Sequence, residues 1–162
     1  MTLHPEGAYL IGREVLDMLA GLDVDAVGGL VMGAFPIITA VALVSHQEGK
    51  PIPSFIVREQ AKEHGTRRKI EGHFRKDSKV VIVDDVITTG DSVLKAIKAV
   101  EEEGCEVVKV IVIVDRHEGG SEWLKKEGYN FKAIIDLPPS GKASISETSE
   151  VKGEARAGLL RQ

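Results

Sequence analysis

Lys79-Val80-Val81-Ile82-Val83-Asp84-Asp85-Val86-Ile87-Thr88-Thr89-Gly90-Asp91-Ser92 opens on β-branched residues, breaks on two carboxylates and ends in a hydroxyl-rich turn. Val80 to Val83 offers no polar position to either side of a pleat, so Lys79 to Val83 reads as a strand buried on both faces. The segment that follows, Ser92 to Glu103, places Val93, Ala96, Ile97 and Val100 on one helical face and stops at Gly104. A buried strand leading into an amphipathic helix is half of a βαβ unit.

Outward from this segment the pattern repeats. Apolar residues at Ala8, Ile11, Val15, Leu19 and Leu22 predict a helix from Pro5 to Leu22, with proline at the first turn. Val24 to Gly29 reads as a short strand, Phe35-Pro36 opens a helix through Val44, and Ser54 to Arg58 reads as a strand. Val107 to Val114 is a further buried strand. Gly119 to Glu127 is a short helix anchored by Trp123 and Leu124, and Phe131 to Leu137 is a last apolar run stopped by Pro138-Pro139. AKEHGTRRKIEGHFRKD, residues 61–77, has no apolar period and reads as a long polar loop. Alternating strands and helices predict an α/β fold, a single domain over residues 1–137 with a mostly parallel sheet flanked by helices. Residues 138–162, rich in small and charged side chains, are expected to form a flexible tail.

Composition narrows the function classes. The chain has 162 residues, 43% hydrophobic and 28% charged, enough for one core that hides roughly 70% of the unfolded surface without staples. Cys105 is the single cysteine, which excludes an intrachain disulfide and a multi-cysteine zinc site; its place after Gly104 predicts a core or half-buried position with no chemistry. No apolar run reaches bilayer length and the N-terminus has no signal core, so the cytosol is the expected compartment and no membrane partner is expected. A net charge of −4 argues against a general nucleic-acid binder.

In open parallel sheets, ligands collect at the carboxyl ends of the strands. There the chain offers Asp84 and Asp85, then Thr88, Thr89, Gly90, Asp91 and Ser92 at the start of a helix whose N–H groups suit a phosphate. Two carboxylates beside such a cup suit sugar hydroxyls and a hydrated Mg²⁺, so one phosphorylated sugar satisfies all these groups. The bland reading, a strand end followed by a turn and a cap, would win for an isolated Asp-Asp pair. Here the acids, the hydroxyl turn and the apolar strand are contiguous. A P-loop is excluded because no Gly-Lys precedes Ser or Thr.

VVIVDDVITTGDS resembles the phosphoribosyl-pyrophosphate (PRPP) motif of type I phosphoribosyltransferases. Within that family, LHPEGAYLIG, FIVREQAKEHGT and IVDRHEGG are most similar to the orotate phosphoribosyltransferases, over roughly Thr2 to Leu137. The resemblance implies transfer of ribose 5-phosphate from PRPP to orotate, giving orotidine 5′-monophosphate and pyrophosphate in pyrimidine synthesis. Catalytic residues would be Lys62, His64, Asp84 and Asp85. PRPP would be bound by Arg58, Lys62, His64 and the stretch Asp84, Asp85, Val86, Ile87, Thr88, Thr89, Gly90, Asp91 and Ser92. Thr88 and Arg116 would bind orotate. Mg²⁺ would arrive on PRPP, close to Asp84 and Asp85 but without a dedicated protein site. The loop around Lys62 and His64 would close over the neighbouring subunit of a homodimer. A purine-type phosphoribosyltransferase, or a PRPP-binding protein with little turnover, is the alternative, and Arg116 within DRHEGG favours orotate.

Three features depart from the family pattern. The chain starts at what would be the family's second helix, so the N-terminal hood over orotate is expected to be lacking. The turn Gly28-Gly29-Leu30-Val31-Met32-Gly33-Ala34 has no lysine, and Glu59 stands where a basic residue usually follows the loop arginine, so its charge is expected to repel pyrophosphate. Asp91 is expected to act as a helix N-cap, leaving the other N–H donors for phosphate.

Overall fold

A computed structural model describes residues 2–59, 69–138 and 143–145. Among these, helix α1 (Pro5–Leu19) leads to strand β1 (Ala26–Leu30), helix α2 (Ala34–Gln47), and strands β2 (Ser54–Val57), β3 (Ile70–Gly72) and β4 (Lys79–Ile87). Helix α3 (Asp91–Glu101), strand β5 (Glu106–Asp115), helix α4 (Gly120–Lys126) and strands β6 (Phe131–Asp136) and β7 (Ser144–Ile145) follow. The seven strands form one sheet in the order β3-β2-β1-β4-β5-β6-β7. β2, β1, β4, β5 and β6 run parallel, and β3 and β7 close the two edges antiparallel.

The apolar strands alternate between two cores. Val80 and Ile82 of β4, with Val110 and Val112 of β5, pack beneath Val93, Ala96, Ile97 and Val100 of α3. Val81, Val83, Ile111 and Ile113 face the opposite layer, formed by Ile11, Val15 and Leu19 of α1 and Ile37, Ile38 and Val41 of α2. With a helical layer on each face, residues 80–83 of β4 and 110–113 of β5 are buried on both sides, which is why these stretches read as runs of Val and Ile, whereas Lys109 nearer the start of β5 is half-buried and donates from Nζ to the Met18 carbonyl. Cys105 is buried in the α3 layer, as expected, against Ser78.

The predicted helices and strands all form, with ends shifted by a few residues. Two edge elements were not legible: β7 lies in the stretch expected to be a flexible tail, and β3 lies inside the stretch expected to be a polar loop. It spans three residues at the sheet edge, and only Ile70 of them is buried, too little for a periodic signal. The part of that loop holding Lys62 and His64 lies outside the described residues. Most of the expected C-terminal tail lies outside them too, although Ser144 and Ile145 pair with Asp136 and Ile135. Among the described residues no helix is long and apolar enough to cross a membrane.

The strand order places the ligand crevice. β1 lies between β2 and β4, so the chain leaves its carboxyl end toward one edge of the sheet, whereas the chain leaving β4 heads for the other. The loops separate there and leave an opening above the β1–β4 boundary. The α3 layer holds β4 from one side, and Ile97 is fully buried within it. Ile97→Ala is expected to cost about 2–5 kcal/mol of unfolding free energy, read as a lower urea midpoint at unchanged slope.

Candidate phosphoribosyl site

Asp84 and Asp85 stand near the carboxyl end of β4, beside the turn that leaves β1. The Asp84 side chain is buried, and its Oδ1 accepts the Asp85 backbone N–H at 2.9 Å. Asp85 is half-buried, and its Oδ1 accepts the Val86 N–H at 2.8 Å. Gly33, in the turn after β1, lies so close that a Cβ on it would collide with the Oδ1 atoms of both aspartates. A side chain there would have to push both carboxylates aside, so the turn after β1 and the twin acids form one surface.

Burial pushes the Asp84 carboxyl up to about 7; the backbone N–H from Asp85 opposes this shift, and the neighbouring Asp85 carboxylate adds to it. Near neutral pH, Asp84 therefore exists in both protonation states. It can donate a hydrogen bond or accept one.

Beyond the acids the chain wraps a cavity of about 220 Å³, lined by Asp84, Val86, Ile87, Thr88, Thr89, Gly90, Asp91, Ser92 and Val93. Ile87 is fully buried in the core, so this residue reaches the cavity through its backbone. Asp91 does not cap α3. The N-cap is Gly90, at φ 90°, and Asp91 is the first helical residue, with no side chain bonded to the free N–H groups. The first-turn donors of a helix lack intrahelical partners, and here no side chain takes their place. An uncapped N-terminus carrying partial positive charge opens onto the cavity and suits an anion.

The turn after β5 is stitched to this loop. Arg116 N–H donates to the Ile87 carbonyl at 3.1 Å, and Gly120 N–H donates to the Thr88 carbonyl at 2.9 Å. A Cβ on Gly120 would fall 2.7 Å from Gly90 N and from Thr88 O. The second glycine of DRHEGG thus permits two backbones to touch, and it brings Arg116 and Thr88 to neighbouring positions.

The phosphoribosyl transferase domain family matches residues 8–139. The orotate phosphoribosyltransferase of Aquifex aeolicus is 44% identical over 137 residues, 85% of this chain and 75% of that protein. The chain belongs to the orotate phosphoribosyltransferase family. The enzyme of that name from Nostoc sp. is 46% identical over 138 residues, 85% of this chain and 66% of that protein. Among solved structures, Mycobacterium tuberculosis H37Rv orotate phosphoribosyltransferase in complex with PRPP superposes with a TM-score of 0.75 at 40% identity, covering 84% of this chain and 76% of that one.

Among the described residues, the remaining ones expected at the site of this phosphoribosyltransferase are engaged by partners, while Lys62 and His64 lie outside them. Arg58, just past β2, is half-buried and donates from Nη2 to Glu71 Oε2 of β3 at 3.0 Å, while its buried Nε has no hydrogen-bond acceptor among the described residues. Glu59 pairs with Lys95 of α3 at 3.2 Å, both side chains being exposed. Arg116 is exposed, and its Nε donates to Glu118 Oε1 at 3.0 Å. Sequence reasoning missed Gly33, Gly120 and Glu71. The double glycine of DRHEGG was the one available signal, since a Gly-Gly pair after a strand marks a close backbone approach.

Two outcomes follow from this geometry. The folded chain keeps a proton on Asp84 up to about pH 7, whereas an unfolded carboxyl near 3.8 has released it. The stability linked to this group is thus full below pH 4 and is lost as pH rises through 7. Asp84→Asn removes the penalty, so it should raise the urea midpoint at pH 8 and lose that advantage toward pH 4. Gly120→Ala forces the two backbones apart, and it should weaken phosphate binding at the cup about tenfold or more in calorimetry while leaving a folded circular dichroism spectrum.

Proposed function

We propose that this chain transfers the ribose 5-phosphate group of PRPP to orotate, releasing pyrophosphate and forming orotidine 5′-monophosphate in de novo pyrimidine synthesis. The bond from ribose C1 to the pyrophosphate oxygen breaks with its electron pair on pyrophosphate, and a ring nitrogen of orotate bonds to C1 as its N–H proton passes to the released pyrophosphate or to water. The observation that carries this reading is the uncapped N-terminus of α3 opening, with buried Asp84, onto one cavity.

In this reading the 5′-phosphate takes the N–H groups and hydroxyls of Thr88, Thr89, Gly90, Asp91 and Ser92, and the backbone of Val86 and Ile87 completes the wall. Asp84 and Asp85 hold the ribose hydroxyls. Their oxygens are hard donors gathered against Gly33, a set that fits Mg²⁺ and its waters. Mg²⁺ bound to PRPP would neutralise part of the pyrophosphate charge. Leaving-group charge also needs protein cations, and Arg58, Lys62 and His64 are proposed for it. Glu71 fixes the direction of Arg58 from below, and Lys95 draws off the Glu59 charge. Arg116 would exchange Glu118 for the orotate carboxylate, a bidentate match for its guanidinium.

Lys62 and His64 are proposed to act across a homodimer in the cytosol. A second copy is favoured by exposed apolar residues, Met32 in the turn before α2 and Phe35 and Leu43 on the helix itself.

With PRPP and Mg²⁺ present, the protein should consume orotate, seen as falling absorbance. Arg116→Ala should raise the orotate KM about tenfold or more with a smaller change for PRPP. Asp84→Asn combined with Asp85→Asn should abolish PRPP binding in calorimetry. Nucleotide formation from a purine base alone would overturn the choice of orotate, and PRPP binding without product from any base would overturn turnover.

A further inference from the structure

Asp115, at the carboxyl end of β5, is 1% exposed, and its Oδ2 is buried without a hydrogen-bond partner. Its other oxygen, Oδ1, accepts the backbone N–H of His117 at 2.8 Å, which helps to hold His117 at φ 53°. The orphaned oxygen faces the same ring, 3.9 Å from His117 Nδ1. Asp136, the register partner of Asp115 on β6, places Oδ1 3.2 Å from His117 Nε2. Glu122 Oε1, from α4, lies 3.5 Å from Nδ1. Burying a carboxylate oxygen with no donor is costly, and three carboxylates around one imidazole concentrate negative charge. Both facts call for a cation.

We propose that Asp115, His117 and Asp136 form a binding site for a borderline divalent transition ion such as Zn²⁺, separate from the Mg²⁺ that accompanies PRPP. One ligand atom from each residue lies within 4.8 Å of the others. Ligands on a common ion with bonds of about 2.1 Å stand about 3.0–3.4 Å apart, so small side-chain movements close the set. A neutral imidazole among carboxylates suits such an ion better than Mg²⁺, which takes oxygen ligands. The ion would satisfy Asp115 Oδ2 and tie the ends of β5 and β6 together. Two of its ligands flank Arg116 in the chain, so it would also fix the turn that carries that arginine.

Zn²⁺ titrated into the tag-free full chain without PRPP should bind one ion per chain by calorimetry, persist in millimolar Mg²⁺ and raise Tm. His117→Gln and Asp136→Asn, both at partly exposed positions, should each weaken that binding at least about tenfold and remove the Tm shift. Asp84→Asn combined with Asp85→Asn should leave it unchanged. Unaltered binding in both His117→Gln and Asp136→Asn, loss only in the Asp84/Asp85 variant, or no binding to the parent chain would overturn the proposal. Since PRPP is absent throughout, none of these results depends on the phosphoribosyl reading.

Discussion

Two carboxylates on consecutive residues at the end of a buried strand repel each other, and burial deprives the inner one of water. The surrounding fold manages that conflict. Backbone N–H groups of Asp85 and Val86 are turned onto the two Oδ1 atoms, Gly33 withholds a side chain so that the acids can stand against the neighbouring turn, and Asp84 retains a proton up to about pH 7. What these acids still lack is a partner able to donate hydrogen bonds and bring positive charge. A sugar diol accompanied by a hydrated cation has both properties, and the free N–H groups of α3 nearby complement the phosphate that such a sugar carries.

The layers of the fold place this conflict where it is useful. β4 is central in the sheet and covered by helices on both faces, so its end is rigid, and the opening above the β1–β4 boundary follows from strand order alone. Binding groups on a rigid strand end need little reordering when ligand arrives. The β5–α4 turn is bonded to the same loop through the backbone N–H groups of Arg116 and Gly120, which ties the ends of β4 and β5 together.

Charges that look adverse in the sequence are compensated by residues far away in the chain. Glu59 finds Lys95, and Arg58 is directed by Glu71, which belongs to a strand too short to be seen as one. Asp91 looks like a helix cap because its type favours that position, yet Gly90 at φ 90° already ends the turn and moves Asp91 one residue into the helix. For Glu59 and Arg58 a contact from another element decided the outcome, and for Asp91 the conformation of its neighbour did.

The sequence alone determined the two-sided burial of β4 and β5, the inward face of α3 and the grouping of Asp84 to Ser92 into one contiguous cup. Those properties arise from periodicity and from neighbours in the chain, which a linear reading contains. Only the tertiary structure decided the edge strand β3, the protonation of Asp84, the contacts of Gly33 and Gly120, and the meeting of Asp115, His117 and Asp136. These depend on which strands lie side by side and how deeply each side chain is buried. Strand order and depth are set by packing energy summed over the whole core, so no single segment encodes them.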